Sequence, residues 1–245
     1  MRTGSKILLL AGSAEARQIG TALREQGVDL RALLSEPPRG ANPMPMPYQM
    51  VDFADLAGLK RQMAGCDAVI DASHGFDGRM TDLGFAAASQ SGLPFISLSR
   101  PVWAMDPADQ LCGAGDVQQA VAMIPKGAKV FSATGWASLP DYADFAGERL
   151  FLRQTTRHDR PAPFDFVALV FGDPPFSQAD ETELFQRLGV EYLICRNLGG
   201  LPSRPKVDAA LALGMKTILI DRPAAPKGSV VVADIAGVLA WVADL

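Results

Sequence analysis

Histidine is almost missing from this 245-residue chain: His74 and His158 are the only two, and neither has a partner at metal-ligand spacing. A zinc centre needs three or four Cys, His or carboxylate ligands, so no metal site is expected. Cysteine is scarce as well. Cys66, Cys112 and Cys195 are odd in number and far apart, which argues against a disulfide framework and fits a reducing, cytoplasmic setting. No apolar run is long enough to span a bilayer, and Met1–Lys6 leads into a strand-like leucine run instead of a secretory h-region. Positive charge is not in excess: the formal net charge of −4 offers no global field for nucleic acid. Neither nucleic acid nor membrane is therefore an expected partner. The chain also lacks a G-x-S-x-G elbow and a G-x-x-x-x-G-K-[ST] phosphate loop, which removes hydrolases of the first kind and P-loop NTPases.

What is present is a strand–helix–strand plan, and it occurs twice. Asp67–Trp103 reads DAVIDASHGFDGRMTDLGFAAASQSGLPFISLSRPVW. Ala68–Ala72 is a short apolar run of buried-strand length, broken by Ser73, His74 and Gly75. Met80–Gln90 carries Leu83, Ala86 and Ala87 on one helical face, and Gly92 and Pro94 stop it. Phe95–Leu98 is a second strand, and a crossover helix makes the two strands parallel. Later, Glu191–Gly200 (EYLICRNLGG), a short helix at Val207–Leu213 and Thr217–Pro223 (TILIDRP) follow the same plan, with TILIDRP matching FISLSRP at Phe95–Pro101. The expected fold class is α/β: two Rossmann-like halves with mostly parallel sheets and a ligand cleft between them. The turn Pro125-Lys126-Gly127 divides them, giving a dinucleotide-binding half at 1–126 and a second half at 127–245. Pro107–Met123 is expected to be mostly helical, interrupted at Cys112–Gly115.

Two strand-to-helix turns carry glycine. The first follows the strand Lys6–Leu10 and reads Ala11-Gly12-Ser13-Ala14-Glu15. A glycine there lets backbone N–H groups approach a phosphate, and the helix N-terminus favours negative charge. Ser13 can cap the helix or donate to that phosphate. With one glycine this is a weak version of G-x-G-x-x-G. The second turn, Thr134-Gly135 after Lys129–Ala133, is another possible anion site. Ser35 and Arg39 follow the strand Val28–Leu34, where a dinucleotide fold meets the adenosine ribose. A hydroxyl and an arginine suit a 2′-phosphate, while Glu36 argues for a free ribose hydroxyl. Ser73 and His74, at the end of a central strand, can reach a cofactor, and His74 can also donate a proton. Asp71 lies in an apolar strand and must be paired or neutral. Two basic groups, Arg149, Arg153, Arg157, His158 and Arg160, then Arg196, Arg204 and Lys206, suit either a solvated face or a ligand with several carboxylates or phosphates.

Taken in order, the turns resemble a known family. LLLAGSAEARQI resembles a GGT-x-EA turn, VIDASHGF a DATHPFA segment and SRPVW an R-x-x-RP-x-W segment. FSATGWASL and LICRNLGG…K-x-x-AA-x-x-LG…I-x-RP match as well. Together they resemble the precorrin-6A reductases of the cobalamin pathway over nearly the whole chain. Ala11 and Ser13 stand where the family has glycine and threonine, Gly75 replaces a proline, and Asn197-Leu198-Gly199 replaces a more polar run. The resemblance implies NADPH-dependent reduction of one double bond in a tetrapyrrole macrocycle, precorrin-6A to precorrin-6B. With the turns read above, cofactor contacts are expected at Gly12, Ser13, Ala14, Glu15, Ser35, Arg39, Ser73, Thr134 and Gly135. Substrate carboxylates would meet Arg153, Arg157, His158, Arg196 and Arg204. His74 and Lys206 are the candidate proton donors, beside water. Two alternatives stand next to this reading. A short-chain-type dehydrogenase would need a Tyr-x-x-x-Lys pair, and Tyr48, Tyr142 and Tyr192 have no lysine four residues on. A non-enzymatic NADP-binding module would bind the cofactor without turnover.

Overall fold

The computed structural model describes residues 4–38, 43–105 and 110–245. It opens with β1 (Lys6–Ala11), buried along all but its first residue, as a strand covered on both faces must be. The helix α1 (Ala14–Glu25) turns Ala16, Ile19, Gly20 and Leu23 to the core. β2 (Asp29–Leu34), β3 (Tyr48–Met50), α2 (Leu56–Met63), β4 (Ala68–Ala72), α3 (Gly78–Gln90) and β5 (Phe95–Leu98) follow. Next come β6 (Leu111–Ala114), α4 (Val117–Ala122), β7 (Lys129–Ala133), a 3-10 helix at Trp136–Tyr142, β8 (Arg149–Gln154) and β9 (Val167–Phe171). The chain ends with α5 (Gln178–Leu188), β10 (Tyr192–Arg196), α6 (Pro205–Ala212), β11 (Lys216–Ile220), β12 (Val230–Val232) and α7 (Ile235–Ala243). Among the described residues no helix is long and apolar enough to cross a membrane.

The strands form two six-stranded sheets, ordered β12-β5-β4-β1-β2-β3 and β6-β11-β10-β7-β8-β9. Every pairing within them is parallel. Read from the far edge, each sheet has the doubly wound order 3-2-1-4-5-6. The two strand–helix–strand units seen in the sequence, β4–α3–β5 and β10–α6–β11, hold equivalent places in their sheets.

The sixth strand of each sheet comes from the other repeat. After β5 the chain adds β6 beside β11, and after β11 it adds β12 beside β5. The two compact units are thus Met1–Pro101 with Pro223–Leu245, and Val102–Arg222. This differs from a division at residue 126. The turn at Pro125–Gly127 separates the two repeats along the sequence, but each repeat gives its last strand and helix to the other sheet. The exchanged pieces are alike: Asp116 caps α4 through the Gln119 amide, and Asp234 caps α7 through the Gly237 amide, both at 2.8 Å. Leu111–Ala114 is correspondingly a strand where a mostly helical stretch from Pro107 to Met123 was expected; Pro107–Asp109 lie outside the described residues, and the helix is confined to Val117–Ala122. The strand state of Leu111–Ala114 comes from pairing with β11, because LCGA alone has no strand pattern. α7 sets Val238 and Val242 into the core of the first unit with Ile19, Leu23 and Ile96. In the second unit Phe131, Phe185, Leu193 and Leu219 form the core.

Candidate functional site

In a parallel sheet all carboxyl ends lie on one edge, and ligands sit where the strand order reverses. In the first unit that point lies between β1 and β4. Gly12, just after β1, is in tight contact with the turn after β4: a Cβ there would lie 2.8 Å from the His74 backbone nitrogen and 3.4 Å from Ser73. Gly12, Ser13, Ser73 and His74 are therefore one group. Ser13 accepts from the Ala16 amide at 3.2 Å and donates to the Ala72 carbonyl at 2.8 Å. Its hydroxyl is committed within the protein, so the donors this helix end could offer an anion are its first-turn amides, at Ala14 and Glu15.

A carboxylate at that helix end would repel a phosphate. The Glu15 carboxylate accepts from Arg100 Nη1 at 2.8 Å, which cancels its charge while both side chains stay partly exposed. Arg100 follows β5 and, as its place in the sequence implies, lies with His74 beyond the carboxyl ends of the strands. Asp71 fixes the turn after β4. It accepts from the Ser73 amide at 3.0 Å and from the Thr81 and Ser97 hydroxyls at 2.8 Å each, so a structural pairing accounts for this buried acid. His74 Nδ1 accepts from the Phe76 amide at 3.2 Å, which puts the proton of the neutral ring on Nε2. As an imidazolium the ring would lose that bond. Ser35 donates to Asp77 Oδ2 at 2.9 Å, and Asp77 also caps α3. A carboxylate thus stands beside Ser35, where a 2′-phosphate was expected. Arg39 lies outside the described residues.

The second unit reverses its strand order between β7 and β10. Gly135 there has φ +87°, a conformation that favours glycine. Thr134 is fully buried in a hydroxyl cluster with Ser132, Ser138 and Tyr142, at 2.6–3.1 Å. Burial pushes Tyr142 up to about 12 despite those bonds. Both side chains spend their hydroxyls within this cluster, and Tyr142 is unsuited to the proton relay of a short-chain dehydrogenase.

The basic residues separate into distinct settings. Arg153 is buried, donates to Glu181 Oε2 at 2.6 Å, and lies over the Phe131 and Phe176 rings. Burial pushes the Glu181 carboxyl up and the Arg153 guanidinium down, and their attraction only partly opposes either shift. Arg204 pairs with Asp208 at 2.7 Å and lies 5.7 Å from the centre of the Trp103 ring. Lys206 donates to the Ser203 carbonyl at 2.7 Å, and its charge reaches buried Glu181 and Cys195. That makes it part of an internal charge group. Arg196 ends β10, where its charge reaches Tyr142. Arg157 and His158 gather with Trp136 and Phe171 beyond β8 and β9.

Two parallel sheets in dinucleotide-binding order, with a glycine turn entering a capped helix in the first, define a Rossmann-like α/β protein. The family model described as Precorrin-6x reductase CbiJ/CobK matches residues 6–243. The chain belongs to that family and is an oxidoreductase. It is 31% identical to the precorrin-6A reductase of Rhodobacter capsulatus, over 98% of this chain and 96% of that one. The precorrin-6A reductase of Rhodococcus erythropolis is also 31% identical, covering 98% of both chains. A solved structure, "CobK precorrin-6A reductase", superposes with a TM-score of 0.88 at 30% identity, over 98% of this chain and 96% of that one.

Proposed function

We propose that the protein reduces precorrin-6A to precorrin-6B in cobalamin biosynthesis, with NADPH as reductant, in the cytoplasm. The observation that carries the cofactor half is the turn at Gly12, where α1 presents its N-terminus and Arg100 neutralises Glu15. Bound there, NADPH would supply a hydride to one carbon of the macrocycle. The residues fit such a group: the Ala14 and Glu15 amides would hold the pyrophosphate, with the turn 73–74 closing over it. Ser35 and Arg39 remain the proposed 2′-phosphate contacts, Asp77 being the counter-influence. His74, with its proton on Nε2, acts as a hydrogen-bond donor that orients cofactor or substrate. The proton that completes the reduction comes from water, since the ring would have to give up its Phe76 bond to become an acid. The second unit suits the substrate better than a second dinucleotide. Its first turn enters only a short 3-10 helix, and no helix connects β8 to β9.

The metal-free macrocycle is the favoured substrate. The relatives at about 30% identity are named precorrin-6A reductases, while the cobalt-precorrin-6A reductase of Priestia megaterium is 25% identical. Purified protein with precorrin-6A should consume NADPH, seen as a fall in nicotinamide absorbance, faster than it consumes NADH. Arg39→Ala should remove that preference. A variant that weakens both nucleotides equally would move the 2′-phosphate elsewhere.

A further inference from the structure

Asp77 precedes α3, and its Oδ1 accepts from the Met80 amide at 3.1 Å, the ordinary work of a helix cap. Its Oδ2 is spent differently. It accepts from the Ser35 hydroxyl at 2.9 Å, a contact between residues 42 positions apart. Ser35 follows β2 and Asp77 lies in the turn after β4, so the bond bridges the strand ends on either side of β1, the strand that leads into Gly12. The Asp77 backbone is fixed as well: its amide donates to the His74 carbonyl at 2.7 Å, and its carbonyl accepts from the Thr81 amide at 3.2 Å. The turn and the helix together position the carboxylate. Ser35 is exposed and Asp77 half-buried, so a ligand at this edge can reach both.

A serine hydroxyl has a single proton, and here it goes to Asp77. Toward a ligand the pair then offers acceptors only, the Ser35 oxygen and the carboxylate. A ribose 2′-hydroxyl is a donor and suits that pair. A 2′-phosphate is an acceptor and an anion, and does not. To serve it, Ser35 must turn its proton from Asp77 to the phosphate, which leaves Oδ2 without that donor and facing another negative charge. Glu36, exposed beside Ser35, adds to the repulsion, and Arg79, exposed beyond Asp77, opposes it. We propose that Asp77 is a specificity-determining residue of the nucleotide site: its carboxylate works against the 2′-phosphate, narrows the preference for NADPH, and keeps NADH a usable reductant. The inference rests on the cofactor reading above and sets the size of the preference that Ser35 and Arg39 create.

The test uses the full chain with Asp77→Asn and Asp77→Ser, which remove the charge but keep a residue that caps helices well. NADPH and NADH are titrated separately, with binding followed by nicotinamide fluorescence. As competitors, 2′,5′-ADP and 5′-AMP isolate the 2′-phosphate. Each variant should lower the NADPH Kd roughly fivefold, about what one nearby like charge costs at an exposed site. The NADH Kd should stay or rise. The 2′,5′-ADP should tighten as NADPH does, and 5′-AMP should not. The gain should shrink in high salt, which screens an exposed charge. Damage to the turn would instead weaken both nucleotides together. A ratio of NADPH to NADH Kd unchanged in both variants, or a parallel shift of both nucleotides, would overturn the role of Asp77. If wild-type protein reduces precorrin-6A with NADPH while both variants keep its nucleotide ratio, the Asp77 inference fails and the activity stands. If the variants shift the ratio but the wild type never reduces precorrin-6A, the Asp77 inference stands and the activity fails.

Discussion

At the scale of single residues, the site depends on charges that are cancelled rather than displayed. Arg100 and Glu15 are 85 positions apart and form a 2.8 Å ion pair at the N-terminus of α1. Removing the arginine leaves a carboxylate facing any pyrophosphate bound there. Arg100→Ala should therefore raise the KM for NADPH and for NADH alike, each by roughly tenfold, about what a charge-assisted bond contributes. Steady-state kinetics with both nucleotides checks this, and a change confined to NADPH would place Arg100 at the 2′-phosphate instead. The buried pair Arg153–Glu181 should respond asymmetrically. The Glu181 carboxyl lies above its usual range because burial outweighs the nearby cations. A raised carboxyl pKa contributes stability that is present at low pH and lost as pH rises through the folded value. Glu181→Gln removes the group whose charged form burial disfavours, so wild type should lose stability relative to it as pH rises past the normal glutamate range. Arg153→Met leaves a buried carboxylate without its cation and should cost about 3–5 kcal/mol in denaturant unfolding. Such pairs were not legible in the sequence, because nothing in RLFLRQ or QADETELFQRL signals that Arg153 will meet Glu181. Gly12 and Ser13 were legible, since a turn between an apolar strand and a helix has few other residue choices.

At the scale of elements, apolar runs bounded by glycine, proline or polar turns could be read directly. The expected strands Ala68–Ala72, Phe95–Leu98 and Lys129–Ala133 have those bounds in the structure. Two edge strands could not. β3 is exposed along its length, and β6 mixes Cys and Gly in four residues, so each owes its state to a partner strand rather than to its own pattern. The caps of the exchanged helices give an element-scale prediction. Asp234→Ala removes the 2.8 Å bond to the Gly237 amide at the start of α7. It should lower stability by about 1 kcal/mol, visible as a drop in melting temperature of several degrees. Because α7 packs onto the first unit, NADPH binding should weaken at temperatures near that transition. An unchanged melting temperature would mean that α7 contributes little to the first unit.

At the scale of the whole molecule, the chain makes two sheets of the same order and exchanges their sixth strands. The repeat was legible because both copies end in Arg-Pro after an apolar run; the exchange was not, since sequence order does not say which sheet an edge strand joins. The two copies have diverged in their turns. The first keeps a glycine turn, a capped helix and a neutralised acid, as a dinucleotide needs. The second has buried its turn hydroxyls and gathers aromatic and cationic residues beyond β8 and β9. This division of labour predicts hydride transfer between two different ligands, and isotope transfer tests it most directly. Precorrin-6A is incubated with the protein and NADPH deuterated at the transferring nicotinamide carbon, and the product is weighed by mass spectrometry. The account predicts a product with one deuterium from the nucleotide and one hydrogen from solvent. A reduced product with no deuterium, or precorrin-6A left unreduced by folded, NADPH-bound protein, would contradict it.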